Sequence, residues 1–327
     1  MSRRARAAGR AARQNPDVAG PVASGARDDD VTARSPETGV RIRALLPSLP
    51  PAEQRVARRI IEDPAGVAAM TIGELAQACE TSETTVIRFC RAVGFGGYPE
   101  LRLTLATEVG RAQGQDRTGR VIDADINPED SLAEVVEKIA FTDARAVEDT
   151  AAQLDIGVLE QVVDKLVTAA RVNVYGVGAS ACVALDLQQK LHRIGKAVFA
   201  WPDVHMALTS AALLGPGDVA IGVSHTGETI DTIDVLAEAR RHGATTVAIT
   251  NFPRSPIAEV ADHVLTTAAR ETTFRSGATA SRLAQLTVID CLFVGVAQRT
   301  YDRTKTALTA TYEAVRSRRV RPERGRR

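Results

Sequence analysis

The sequence predicts an all-α helix-turn-helix domain followed by an α/β domain with a parallel sheet flanked by helices. Three observations predict it. From about 40 to 110, apolar residues recur at three- and four-residue spacing, as one buried helix face requires. From about 131 to 310, short apolar runs of strand length alternate with helical patterns, the signature of a parallel sheet. Two glycine-containing turns, GVGAS and GVSHTGET, join such runs to the helical patterns that follow them.

A length of 327 residues suits about two domains, and 44% apolar residues are enough to bury real cores. Residues 1–39 are rich in Ala, Arg, Gly, Pro and Asp without apolar periodicity and read as a disordered basic tail. Periodicity lapses again over 111–130, a linker, and residues 311–327 read as a basic C-terminal tail. No internal repeat is found. The arginine runs read first as solvated tails, with DNA steering as the minority reading. A net charge of +1 does not by itself announce nucleic acid. The N-terminus has no apolar segment behind its basic residues, and the longest apolar runs fall short of the roughly 18 residues of a membrane span. Cys79, Cys90, Cys182 and Cys291 are far apart without a C-x-x-C pair. That spacing argues against a metal site or disulfide framework and fits a reducing, cytoplasmic compartment.

In the first domain, PAEQRVARRIIED places Val56, Ala57, Ile60 and Ile61 on one helix face. Thr71 and Glu74 have the spacing of a capping box. Behind them Ile72, Leu75, Ala76 and Cys79 form an apolar stripe. After only ETSE, a second stripe follows in Val86, Phe89, Cys90 and Val93, ending at Gly94. Two short amphipathic helices on so tight a turn predict a helix-turn-helix. With the second stripe buried, Thr84, Arg88 and Arg91 share the outer face, and Ser82 and Thr85 stand at its N-terminal end. Short hydroxyls permit close approach to base edges, and arginines reach phosphates or guanines. A helix pair with a merely solvated polar face is the plainer alternative. The cap, stripe, turn and basic face together favour DNA.

In the second domain, RVNVYGVGASACVALDLQQKLHRIG reads as strand, tight turn and helix. Gly176, Gly178 and Ala181 satisfy G-x-G-x-x-A, so a dinucleotide site is a rival, with Asp203 as its ribose acid. GVSHTGET is the third strand's exit. Ser180 in the first turn, and Ser224, Thr226 and Thr229 in the second, present small hydroxyls. Helix N–H groups and dipoles at the same places favour an anion. Both turns lie at the carboxyl edge of the sheet, where such folds bind ligands. Neither contains Lys or Arg, so neutral donors would hold the anion. Ordinary N-caps would explain either turn alone, stabilising each helix by roughly 1 kcal/mol; two matched turns favour a ligand.

Residues 40–110, through LPPAEQRVARRIIEDP and MTIGELAQACETSETTVIRFCRAVGFGGYPELR, resemble the N-terminal domain of RpiR-type transcriptional regulators. The resemblance implies a winged or extended helix-turn-helix that binds operator DNA, usually as a dimer, with a recognition helix over about Ser82–Val93. The long basic N-terminal extension is not part of that pattern. Residues from about 160 to 304 resemble a SIS, or sugar isomerase, domain through GVGAS, SHTGET, TTVAITN and ETTFRSGATASRLAQLTVID. That resemblance implies a bound sugar phosphate that switches operator affinity. A homodimer or dimer of dimers is expected with it, and the run lengths and the Cys and His spacings give no membrane partner, metal or further cofactor. Ser180 and Ser224 match the family's two phosphate-contacting serines, and Thr226, Gly227 and Thr229 match the rest of the S-x-[ST]-G-x-T turn. Gly178 and Ala179 complete the first turn. His225 falls at a variable position and is read as a ligand contact or a solvated turn residue.

No catalytic residue is assigned. Ser224 and His225 are adjacent on a turn, where a base does not reach its neighbour's hydroxyl. His192, His205, His242 and His263 show no metal spacing. Glu228 and Glu271 are the carboxylates that a phosphosugar isomerase or lyase would use. Glu228 also suits a helix first turn, and Glu271 a pairing with Arg275 or Arg282. A nicotinamide-binding redox sensor is the second alternative.

Overall fold

A computed structural model of the chain describes residues 38–115, 125–271 and 280–318. Most of the N-terminal tail, the middle of the expected linker, Arg275 and the chain's last nine residues lie outside them. The first part holds α1 (Thr38–Leu45), α2 (Pro51–Glu62), α3 (Pro64–Ala69), α4 (Ile72–Ala78), α5 (Glu83–Ala92) and α6 (Tyr98–Gln115). No strand occurs among the described residues before 125, so this is an extended, all-helical unit without a wing there. Val56, Ala57, Ile60, Leu75, Val86, Phe89 and Cys90 form its core with Leu101 and Leu105 of α6. Ile61 and Ile72 are only partly buried at its margin.

The helix-turn-helix is held by local chemistry that the sequence advertises. Thr71 and Glu74 form both halves of the capping box on α4. The Ser82 side chain caps α5 by accepting from the Thr85 N–H. Gly94 closes α5 in the left-handed region, and the Phe95 N–H donates back to the Cys90 carbonyl at 2.8 Å. Between the helices Glu80 also takes a positive φ, 48°. Arg55 of α2 donates to the carbonyls of Cys79 and Glu80, both at 2.9 Å, and so pins the turn. The Tyr98 hydroxyl donates to the carbonyls of Val67 and Met70.

The second part opens with α7 (Leu132–Gln153) and α8 (Ile156–Thr168). It continues as β1 (Val172–Gly176), α9 (Ala179–Arg193), β2 (Val198–Trp201), α10 (Val204–Ala211), β3 (Val219–Val223) and α11 (Ile230–Arg241). β4 (Thr245–Thr250), α12 (Pro256–Glu259), β5 (His263–Thr266), α13 (Ala280–Arg299) and α14 (Tyr301–Arg316) complete it. All five strands are parallel, in the order β2-β1-β3-β4-β5. Alternate strand residues face opposite layers. Val172, Val174, Ile221 and Val223 meet α8, α9 and α13 on one side. Tyr175, Ala220 and Ala248 meet α10, α11 and α12 on the other. Gly295 lets α13 lie close to α8, since a Cβ there would stand 2.8 Å from a Val163 methyl.

Two expectations change. α6 runs to Gln115, beyond the boundary at 110, because its last residues sustain helix without an apolar stripe. α14 runs to Arg316, through the expected start of the tail at 311. α13 is long and apolar enough to cross a membrane by length and composition. One face of it, with Ala284, Val288, Ile289, Leu292 and Val296, is fully buried within the fold.

The turn at Glu80 yields a stability prediction. Glu80→Gly relieves the left-handed strain and raises stability by up to about 1 kcal/mol, while the β-branched Glu80→Val lowers it by about 1–2 kcal/mol. Urea unfolding ranks the two, and the reverse order contradicts this account of the turn.

Candidate functional site

The strand order places a topological switch between β1 and β3. The connection from β1 leads to β2 on one side, and that from β3 to β4 on the other. Open parallel sheets bind ligands at this crevice. Gly176 pairs with Val223, so the two turns leave neighbouring strands at the same level, about 4.8 Å apart.

Each turn is shaped by a glycine that no other residue replaces. A Cβ on Gly176 would lie 2.8 Å from the Ser180 carbonyl carbon, so α9 folds directly over the end of β1. Gly227 has φ 69°, and a Cβ there would lie 1.9 Å from the Ser255 hydroxyl oxygen. The second turn is also tied to the loop after β4. The His225 carbonyl accepts from the Asn251 N–H at 3.0 Å and the Thr250 hydroxyl at 3.2 Å. The Gly227 carbonyl accepts from the Ile257 N–H at 3.0 Å.

The hydroxyls do not act as ordinary caps. Neither α9 nor α11 is capped by a side chain, although α7, α8 and α10 are. Ser180 is half-buried, and its hydroxyl has no partner among the described residues. Ser224 is buried. Its oxygen accepts from the Gly227 N–H at 3.1 Å and lies 3.2 Å from the Thr229 hydroxyl. One hydroxyl hydrogen of that pair therefore remains to donate outward. The exposed Thr226 accepts from the Glu228 N–H. The N–H groups of Gly178, Ala179, Thr229, Ile230 and Asp231 find no acceptor among the described residues. The crevice is thus lined by neutral donors and two positive helix ends, a combination that attracts anions.

His225 is not a solvated turn residue. Its side chain is 16% exposed and lies edge-on to Phe252 at 5.8 Å. Nε2 stands 4.0 Å from a Glu271 oxygen, and Nδ1 is buried without a partner among the described residues. Burial pushes the imidazole below its ordinary value, and the Glu271 carboxylate opposes this only in part. Glu271 also accepts from the Ser281 hydroxyl. Glu228 is exposed at the second turn. The expected ribose acid has other work: Asp203 caps α10 by accepting from the Met206 N–H at 2.9 Å. Thr250, Asn251, Phe252 and Ser255 escape a reading of the sequence. Only the end of TTVAITN hints at them, because their contacts with the turn are distant in the chain.

On α5, Thr84, Arg88 and Arg91 are exposed on one face. Neither arginine has an ion pair or hydrogen bond among the described residues. Ser82 and Thr85 are partly engaged with each other, their hydroxyl oxygens 3.0 Å apart. Between the two parts of the molecule lies a cavity of about 140 Å³. Val40 and Arg43 of α1, Phe141 and Arg145 of α7, and Asn251 line it.

The model of the rpiR-family helix-turn-helix domain matches residues 39–112, and that of the SIS domain matches residues 165–295. A helix-turn-helix transcriptional regulator of Caldanaerobacter subterraneus is 39% identical over 85% of this chain and 97% of its own length. The regulator HexR of Pseudomonas aeruginosa is 36% identical over 79% of this chain and 88% of its own. Among solved structures, Vibrio vulnificus NanR complexed with ManNAc-6P is similar at 28% identity and a TM-score of 0.55. That match covers 87% of this chain and all of NanR.

The buried imidazole makes a pH prediction. A histidine whose folded pKa is depressed stabilises above its unfolded value, near 6.5, and that contribution is lost as pH falls toward the folded value. Denaturant unfolding at successively lower pH below neutrality should show less loss of stability in His225→Gln than in the parent chain. Equal losses would remove His225 as the titrating group.

Proposed function

The chain belongs to the rpiR family of helix-turn-helix transcriptional regulators that carry a SIS domain, and we propose that a sugar phosphate held between the tips of β1 and β3 controls how tightly α5 grips operator DNA. One observation carries the effector site. Two helices begin uncapped at the switch point, and the N–H groups of Gly178, Ala179, Thr229, Ile230 and Asp231 and the Ser180 hydroxyl have no partner among the described residues. The phosphate is bound by Gly178, Ala179, Ser180, Ser224, Thr226, Gly227 and Thr229. His225 stands at the sugar's edge of the pocket. That NanR was solved with ManNAc-6P supports a phosphosugar as the class of effector.

On DNA, α5 enters the major groove by its N-terminal half. Ser82, Thr84 and Thr85 approach base edges, while Arg88 and Arg91 take phosphates or guanines. Two copies form a homodimer in the cytoplasm and read half-sites about one helical turn apart. The effector favours one arrangement of the dimer and so resets the spacing of its heads. A connected route supports coupling. The turn's His225 carbonyl holds Asn251, whose side-chain oxygen accepts from the Ala269 N–H at 2.7 Å. The neighbouring Ala268 N–H donates to Thr150 of α7, and α7 touches α1.

The His225–Glu271 pair gives the isomerase reading a specific basis, because an imidazole and a carboxylate beside a sugar site are acid–base groups. Turnover of a phosphosugar that vanishes in Glu271→Gln would establish it.

Paired variants separate the two proposed sites. Arg88→Ala should weaken operator binding by about 1–3 kcal/mol and leave sugar-phosphate binding unchanged. Ser180→Ala combined with Ser224→Ala should abolish the effector response while operator binding persists. Gel-shift titrations with and without sugar phosphate read both. Loss of both properties in either variant would mean the sites are not separable.

A further inference from the structure

Away from both turns, a cavity of about 490 Å³ opens between α10 and the β1–β2 edge of the sheet. This size is typical of small-molecule sites. Strand register builds its floor. Asn173 pairs with Phe199 and Tyr175 with Trp201, so these side chains leave one sheet face. β2 is the edge strand, and Phe199 remains 44% exposed. Phe199 and Trp201 stack with ring centroids 6.2 Å apart. Met206 and Leu213 bound the mouth and are exposed.

Two polar atoms do not suit an empty apolar groove. Asn173 Oδ1 and Trp201 Nε1 are buried without a hydrogen-bond partner among the described residues. Asn173 is 1% exposed, and its Nδ2 donates to the Tyr175 hydroxyl at 3.0 Å, which fixes the amide and leaves the oxygen over. A buried donor and acceptor are rarely left unmade. The cavity's arginine is already committed, because Arg171 pairs with Asp218 at 2.8 Å. A phosphate here would have to compete with Asp218 for that guanidinium.

We propose that this cavity is a second small-molecule site, distinct from the crevice at β1 and β3. It takes a flat, largely apolar molecule with a hydrogen-bond donor for Asn173 Oδ1 and an acceptor for Trp201 Nε1. An aromatic carboxamide carries both groups, and its ring lies against the Phe199–Trp201 stack.

Trp201 is the chain's only tryptophan, so its emission reports this cavity alone. Benzamide, titrated into the full chain under selective tryptophan excitation, should change the emission along a saturable curve. Asn173→Leu should weaken that binding about tenfold, the effect of one lost hydrogen bond. Met206→Glu, at an exposed position on the mouth, should weaken it without disturbing the core. Three results would overturn the proposal. One is an emission change that rises linearly without saturating. The second is an unaltered curve in Met206→Glu. The third is emission that responds to protein concentration but not to benzamide, meaning that a second copy of the chain covers this face.

Discussion

The pairing of β1 with β3 is the constraint on which the α/β half depends. Because Gly176 lies opposite Val223, the two turns emerge side by side. Because β1 connects outward to β2 and β3 outward to β4, their helices depart on opposite faces of the sheet. α9 packs into the core formed with α8 and α13, and α11 into the core formed with α10. The positive ends of both helices therefore converge on one crevice from two sides. No side chain of formal positive charge is needed in either turn, because N–H groups, hydroxyls and dipoles already share one direction.

The second turn is rigid for reasons outside itself. Gly227 is wedged against Ser255, and the carbonyls of His225 and Gly227 are held from the loop after β4. The donors are thus held in place, and a ligand bound there would be spared the ordering cost that a loose loop incurs. The same arrangement buries His225 beside Phe252 and Glu271 and leaves Nδ1 unpaired. A turn so firmly joined to Asn251 and, through the neighbouring loop, to Thr150 on α7 moves with its surroundings or not at all.

Local signals made much of this legible. The capping box at Thr71, the buried stripe from Val86 to Val93 and the αL glycine at 94 are short-range devices, and each appears where its residues predict. The alternation that implies a parallel sheet is likewise a local pattern repeated. Distant contacts were not legible. Nothing in SHTGET says that Ser255 would forbid a side chain at 227, or that Glu271 would stand beside His225. Helix ends without apolar stripes, as in the last turns of α6 and α14, also escape a reading based on periodicity. The carboxylate of Asp203 resembled a ribose acid in sequence, yet its nearest use is to cap its own helix.

If a sugar phosphate in the crevice controls the grip on DNA, occupancy and grip are two readings of one equilibrium. Coupling of that kind is reciprocal. The most direct test is a calorimetric titration of sugar phosphates into the full chain, alone and saturated with operator DNA, set beside operator titrations with and without the same sugar phosphate. The account predicts that one sugar phosphate binds, and that DNA changes its affinity by the same factor by which it changes the affinity for DNA. A sugar phosphate that binds equally well to the free and DNA-bound protein would contradict it.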